Sequence, residues 1–257
     1  MIPIDLSGKN GIVFGVANDR SIAWGITQAL SQAGARIALT YQGERLQGRV
    51  EDLAATLQGA ITLPCDATDD EQIIQVFESL KEEFGEISFL VHSIAFANRE
   101  DLSGRYADTG REGYRIALEV SAYSLLPLVR HAAPLMSGGG SVVAMTFDAS
   151  RRVYPGYNVM GTAKAALEHG VRQLAFEFGE QNIRVNAISA GPLETLAARG
   201  ISGFRDLRHA AAEKAPLRRN ITVDEVAKTA LFLCSELSSG ITGAIIPVDA
   251  GYHIMAV

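Results

Sequence analysis

Apolar residues along this chain fall into two alternating rhythms. Short continuous runs at residues 10–16, 36–40, 60–65, 87–92, 141–146, 182–188 and 243–248 read as buried strands. Between them, helical spacing predicts helices over 21–30, 44–57, 70–84, 112–133, 157–178 and 222–237. The first of these carries Ile22, Ala23, Ile26, Ala29 and Leu30 on one stripe. The 112–133 helix contains Pro127 and is expected to be interrupted or reshaped near it. Residues 98–112 are polar and aperiodic, a loop suited to bordering a pocket. Residues 193–214 read as a small helical flap, whose part from 196 on is rich in Ala and Arg and is expected to be mobile. Strands alternating with helices predict an α/β fold: one doubly wound parallel sheet of about seven strands, with helices on both faces and right-handed crossovers. No composition shift, linker or repeat divides the chain, so 1–257 is read as a single domain.

Composition narrows this. With 47% hydrophobic residues, the chain can bury one large core. No apolar run approaches the ~18 residues of a membrane span, and no secretory signal is visible, so membrane insertion is not expected. Cys65 and Cys234 each sit in an apolar run, which predicts buried reduced thiols and a cytoplasmic setting. The five histidines lack metal-ligand spacing, and no metal site is expected. A net charge of −6 without a long basic block argues against a nucleic-acid partner.

Candidate chemistry gathers at the predicted carboxyl ends of the strands. After the fifth strand comes a Pro155-Gly156 turn, then Tyr157 and Lys164 seven residues apart on one helical face. A phenol and an ammonium on one face suit an oxygen that becomes negative: Lys164 holds cofactor hydroxyls and places charge beside Tyr157, which donates to the oxyanion. A lone Tyr/Lys pair is more often a helix anchor and a surface lysine. After the first strand, Gly15-Val-Ala-Asn-Asp-Arg-Ser21-Ile22 forms a strand–turn–helix that can cradle a pyrophosphate, with Gly15 allowing close approach. It does not match Gly-x-Gly-x-x-Gly, and a plain turn with Ser21 as helix cap fits equally well. Gln42 ends the second strand where an acid often binds the ribose; this neutral residue favours NADH over NADPH, although Arg45 follows closely. Asp66-Ala67 ends the third strand; Asp66 can bind an adenine amino group, whereas capping of the next helix at Asp69 or Asp70 is the alternative reading for an acid here. Ser93 to Ala97 are mostly small residues at the end of the fourth strand. After the sixth, a Gly-Pro turn can hold Thr195 near the phosphates and Leu193 near the nicotinamide carboxamide.

Together these stretches resemble the short-chain dehydrogenase/reductase superfamily, and within it the NADH-dependent enoyl-acyl-carrier-protein reductases of bacterial fatty-acid synthesis. The resemblance rests on residues 15–25, Thr40-Tyr-Gln42, His92-Ser-Ile-Ala-Phe-Ala97, Tyr157-x6-Lys164, Arg184 to Pro192, and Val248 to His253, and spans nearly the whole chain. Most members of the superfamily resemble Tyr-x-x-x-Lys with a Ser thirteen residues before the Tyr; here those positions are Gly161 and Ala144, which disfavours a ketone reductase. The resemblance implies a Rossmann-like fold and NADH as cofactor. It implies contacts to NAD from Gly15, Ser21, Ile22, Gln42, Asp66, Ala67, Ser93, Ile94, Lys164, Leu193, Glu194, Thr195, Leu196 and Ala197. It implies Ala97, Phe147 and Tyr157 at the acyl substrate, with Tyr157 as catalytic phenol and Phe147 and Lys164 beside it. The implied partner is an enoyl group carried on acyl carrier protein or CoA, and the implied assembly is a homotetramer built on the 112–133 and 157–178 helices.

Three departures stand out. Phe147 occupies a position where many members carry a second tyrosine, as in a branch that favours longer acyl chains. Glu194 replaces an arginine and brings negative charge to the pyrophosphate segment. In the flap, Arg205 is kept, but Ser202 and Asp206 stand where lysines are common; Arg208, Lys214, Arg218 and Arg219 lie nearby as substitutes for carrier-protein docking. Reduction of another enoyl-CoA or activated alkene, and dinucleotide binding without catalysis, are the alternative readings.

Overall fold

The computed structural model describes residues 4–195, 198 and 203–256. Seven strands, all parallel, form one sheet in the order β3-β2-β1-β4-β5-β6-β7. They are β1 (Asn10–Phe14), β2 (Arg36–Tyr41), β3 (Ile61–Pro64), β4 (Phe89–His92), β5 (Gly140–Thr146), β6 (Ile183–Ala190) and β7 (Ile245–Val248). The apolar runs predicted them within a few residues. Successive side chains point to opposite faces, so Val13 enters one core while Ile12 and Phe14 enter the other. Helices α1 (Ile22–Gln32), α2 (Glu44–Ala54) and α8 (Val223–Cys234) lie over the first core. Helices α3 (Asp70–Phe84), α5 (Leu125–Ala132) and α6 (Asn158–Phe178) lie over the second. Both faces are therefore covered, which is why the central strands read as continuous apolar runs rather than alternating ones.

The predicted 112–133 helix is corrected. It is two helices, α4 (Arg111–Leu118) and α5, separated by a π-helical turn at Glu119–Tyr123. The Ser124 N–H bonds the Glu119 carbonyl five residues back, at 3.1 Å. Pro127 follows in the first turn of α5, and the carbonyl left without its N–H is that of Tyr123, the last residue of the π-helical turn. Within the predicted flap, α7 (Phe204–Lys214) is helical; Leu196, Ala197, Gly200 and Ser202 lie outside the described residues.

The strand order reverses direction between β1 and β4, and in such sheets ligands bind in the crevice at the carboxyl ends there. Gly15 follows β1 at that point with φ +98°. A Cβ on it would sit 2.1 Å from the Ser93 carbonyl oxygen after β4. Gly15→Ala is therefore expected to cost about 3 kcal/mol or more, from left-handed backbone strain plus overpacking. A thermal melt should show a fall of roughly 6–12 °C; an unchanged melting temperature would show that the crevice tolerates a side chain.

Candidate active site

The crevice is built from strand ends. Ser21 is the N-cap of α1: its hydroxyl accepts from the Trp24 N–H at 3.3 Å and donates to the Asn18 carbonyl at 2.7 Å. The capping alternative for Ser21 is thus realised. It leaves the first-turn N–H of Ile22 without an intrahelical acceptor, available to an anion. Across β2 and β3, Gln42 donates to Asp66 at 2.9 Å, and Asp66 also accepts from Thr68. The α3 cap is Asp69, whose carboxylate accepts from Glu71 and Gln72, so Asp66 is not spent on capping. The Thr68 and Gln42 hydrogen bonds outweigh desolvation and hold the Asp66 carboxyl below its usual range. A polar edge of Gln42 and Asp66 therefore lies over the ends of β2 and β3, beside a glycine-floored turn and a helix N-terminus. These residues fit a dinucleotide.

Tyr157 and Lys164 meet the ends of β4 and β5. Lys164 is buried, and its Nζ donates to the carbonyl of Met145 on β5 at 2.9 Å. Burial lowers its pKa to about 8, with nearby Glu168 opposing the shift. Tyr157 is the N-cap residue of α6 and stays partly exposed. It packs with Ala97 against a small apolar cluster of Leu102, Met160 and Ala163. Burial raises its pKa well above the ordinary phenol value, so it is a neutral donor at physiological pH. Its ring centroid lies 5.0 Å from that of Phe147. A Cβ at Gly161, where the common superfamily pattern has its lysine, would come 2.8 Å from the Ala149 carbonyl oxygen. The close approach of α6 to the 148–150 turn thus excludes that alternative arrangement.

Several residues that shape the site gave no signal in sequence. Ser121, inside the π-helical turn, accepts from the Phe96 N–H at 2.9 Å and donates to the Phe96 carbonyl at 3.0 Å, pinning the segment that carries Ala97. Glu168, buried on α6, accepts from Thr146 at 2.9 Å and Ser150 at 2.6 Å. His92 is fully buried, and the Ser124 hydroxyl beside it is committed to the Val120 carbonyl. His92 Nε2 therefore donates to Ser124 at 2.8 Å, and burial, with Lys164 nearby, lowers its pKa to about 3. A spacing of four in the sequence Lys164-x3-Glu168 was the one available hint of a buried partner for the lysine.

Leu193 is buried beyond β6, and Thr195 Oγ1 accepts from the Ala198 N–H at 3.2 Å. Glu194 is mostly exposed and pairs with Arg208 of α7 at 3.1 Å, so its charge is spent on the flap. A cleft of about 550 Å³ runs between Leu102, Ser103, Tyr154, Pro155 and Leu207 of α7, beside the aromatic cluster. Among the described residues no His, Cys, Asp and Glu side chains cluster as a metal site. Both cysteines are free and buried, and burial pushes each thiol up to about 12.

A doubly wound sheet with a glycine-floored crevice, and a buried lysine two turns along the helix that a neutral phenol begins, is the architecture of a dinucleotide-binding α/β protein. Comparison with known proteins specifies it. The family described as Enoyl-(Acyl carrier protein) reductase matches residues 15–253. The NADH enoyl-[acyl-carrier-protein] reductase FabI of Bacillus subtilis is 51% identical, over 98% of this chain and 98% of that protein. Its namesake in Bacillus cereus is 50% identical, over 97% and 98%. A crystal structure of the Bacillus cereus reductase with NADP+ and an indole naphthyridinone superposes with a TM-score of 0.97, at 48% identity and 100% coverage of both chains. The reductase of Anaplasma phagocytophilum in complex with NAD gives 0.95, at 45% identity over 98% of this chain and 96% of that one. This chain belongs to the enoyl-acyl-carrier-protein reductase family.

Proposed function

We propose that the protein reduces the carbon–carbon double bond of a trans-2-enoyl thioester with NADH, the last reductive step of fatty-acid elongation. Its relatives carry that activity in their names, at about half identity over nearly full length. The observation that carries the reading is the buried Lys164 at the end of β5, with the neutral Tyr157 phenol on the same helix start. When bound, the reduced nicotinamide supplies a hydride to the β-carbon. Tyr157 donates a hydrogen bond to the thioester oxygen, where enolate charge develops until a proton from solvent reaches the α-carbon. Lys164 holds the ribose hydroxyls and adds positive charge nearby. Gly15, Ser21, Ile22, Ser93 and Ile94 seat the pyrophosphate and nicotinamide half, and Gln42, Asp66 and Ala67 the adenosine. Leu193, Glu194 and Thr195 border the cofactor, and Ala97, Phe147 and Tyr157 border the acyl group.

The whole chain acts as one reductase domain, with 193–214 as its substrate flap. Carrier protein is the favoured thioester carrier: Arg205 and Lys214 of α7 are exposed and have no ion-pair partner among the described residues, whereas Arg208 and Arg219 are committed to Glu194 and Glu225. A groove of about 1010 Å³ between α4 and α6, lined by Tyr114, Leu118, Tyr123, Leu126, Ala166 and Leu174, supports pairing of copies within a homotetramer. Among the described residues no helix is long and apolar enough to cross a membrane, and the protonated buried thiols suit a cytoplasmic enzyme. The deciding assay follows NADH consumption with trans-2-enoyl groups on carrier protein and on CoA, with NADPH in parallel. Turnover with NADH on either carrier supports the reading. Tight NADH binding with no turnover on any enoyl thioester overturns it. Light scattering on the same sample reads the assembly.

A further inference from the structure

Phe147 has no hydroxyl, so its contribution to the site is its shape. Its ring lies between two tyrosines: Tyr154 on one side, at 4.8 Å between centroids, and Tyr157 on the other, at 5.0 Å. Both pairs are tilted, at 49° and 59°, an arrangement aromatic rings favour. Among the described residues nothing accepts a hydrogen bond from the Tyr157 hydroxyl. The direction of that phenol therefore rests on ring packing: Phe147 on one side, Leu102, Met160 and Ala163 on another.

The far tyrosine is fixed at both ends. Tyr154 is 9% exposed, and its hydroxyl donates to Asp148 Oδ2 at 2.9 Å. Asp148, equally buried, is the residue next to Phe147. The carboxylate also faces Arg152 Nε at 3.5 Å. The Arg152 guanidinium donates in turn to the carbonyls of Met255, at 2.7 Å, and His253. That C-terminal turn is itself tied down by Asp249, which accepts from the N–H groups of Gly251 and His253. A chain of fixed contacts thus runs from the C-terminal segment through Arg152, Asp148, Tyr154 and Phe147 to the catalytic phenol.

We propose that Tyr154, held by Asp148, is a positioning residue that sets the orientation of Tyr157 through the Phe147 ring. This rests on the role given to Tyr157 above. Tyr154→Phe keeps the ring and removes the anchor, so Phe147 and then Tyr157 gain freedom. The hydrogen bond an oxyanion needs is short and directional, and loosening its donor lowers kcat more than cofactor affinity.

The test is a mutant cycle with NADH and a trans-2-enoyl thioester, with NADH affinity read separately by fluorescence. Tyr154→Phe and Asp148→Ala are each expected to lower kcat by roughly tenfold while the NADH dissociation constant stays within about twofold. Asp148→Asn keeps an acceptor for the Tyr154 hydroxyl and should retain most of kcat. Adding Tyr154→Phe to Tyr157→Phe should cost nothing further, because the residue acts through a phenol already removed. The inference is overturned if Tyr154→Phe leaves kcat intact, or lowers it equally in the wild-type and Tyr157→Phe backgrounds, as a general loss of folding would. The Tyr157→Phe arm alone reads the underlying assignment: an unchanged rate there removes Tyr157 as donor and this role of Tyr154 with it. The fluorine spectrum of 3-fluorotyrosine-labelled protein gives a readout without turnover. The Tyr157 resonance should move in Asp148→Ala and hold in Asp148→Asn; no movement in either overturns the inference.

Discussion

Tyr157→Phe is expected to lower kcat by about a hundredfold or more while leaving NADH affinity nearly unchanged, because one preorganised oxyanion donor is worth ~3 kcal/mol of barrier. The substitution removes one oxygen and keeps the ring, so the packing against Phe147, Leu102, Met160 and Ala163 survives. The loss should fall equally on kcat and kcat/KM, as for an interaction made only in the transition state. Steady-state NADH oxidation with a trans-2-enoyl thioester measures it. Because burial holds the phenol far above its ordinary pKa, wild-type turnover should show no loss from deprotonation of Tyr157 up to the usual phenol range. A residual rate within a few-fold of wild type would place the donor elsewhere.

Lys164 separates activity from stability. Lys164→Met should lower kcat/KM by roughly a hundredfold, the value of one or two charge-assisted hydrogen bonds to ribose hydroxyls. The same change removes an amine whose charge is disfavoured by burial, so the free protein should melt no lower, and higher if the sulfur side chain packs. Between pH about 8 and the ordinary lysine value of 10.5, the unfolded chain holds a proton that the folded chain has released. Stability of the free wild-type protein therefore gains with rising pH across that window, relative to Lys164→Met, and this gain is absent below it. NADH affinity should run the other way, weakening above pH about 8 as the ammonium is lost. Calorimetric melts and fluorescence titrations across pH 6–10 would test both signs. A flat affinity profile would show that the cofactor does not depend on this charge.

The strands were legible because both sheet faces are covered, which writes each central strand as an unbroken apolar run. The helices were legible where one stripe is buried, as at Ile22, Ala23 and Ile26. The π-helical turn itself was not, because its sequence, Glu-Val-Ser-Ala-Tyr, differs from an ordinary helix only in hydrogen-bond partners; the proline one turn on marks that the helix is reshaped nearby but not how. That Tyr157 and Lys164 share one helix was legible because spacing along a helix is written in the sequence. Tyr154, Asp148 and Ser121 were missed because their partners are set by how a loop folds back, with no period to reveal it. Glu194 shows the same limit in reverse. Its charge was visible, but that Arg208 takes it up depends on where α7 docks.

The π-helical turn constrains chain length as well as composition. It takes up one extra residue between α4 and α5, which in an unbroken α-helix would rotate everything downstream by roughly 100°. Deleting any one residue from 119–123 would leave the amino-acid repertoire almost untouched. It would let the turn close as ordinary α-helix with Leu125, Leu128 and Val129 still on the core, and would lose the bulge that sets Ser121 against Phe96. The extra residue therefore serves the segment that Ser121 holds at Phe96 rather than the packing of the helices on either side.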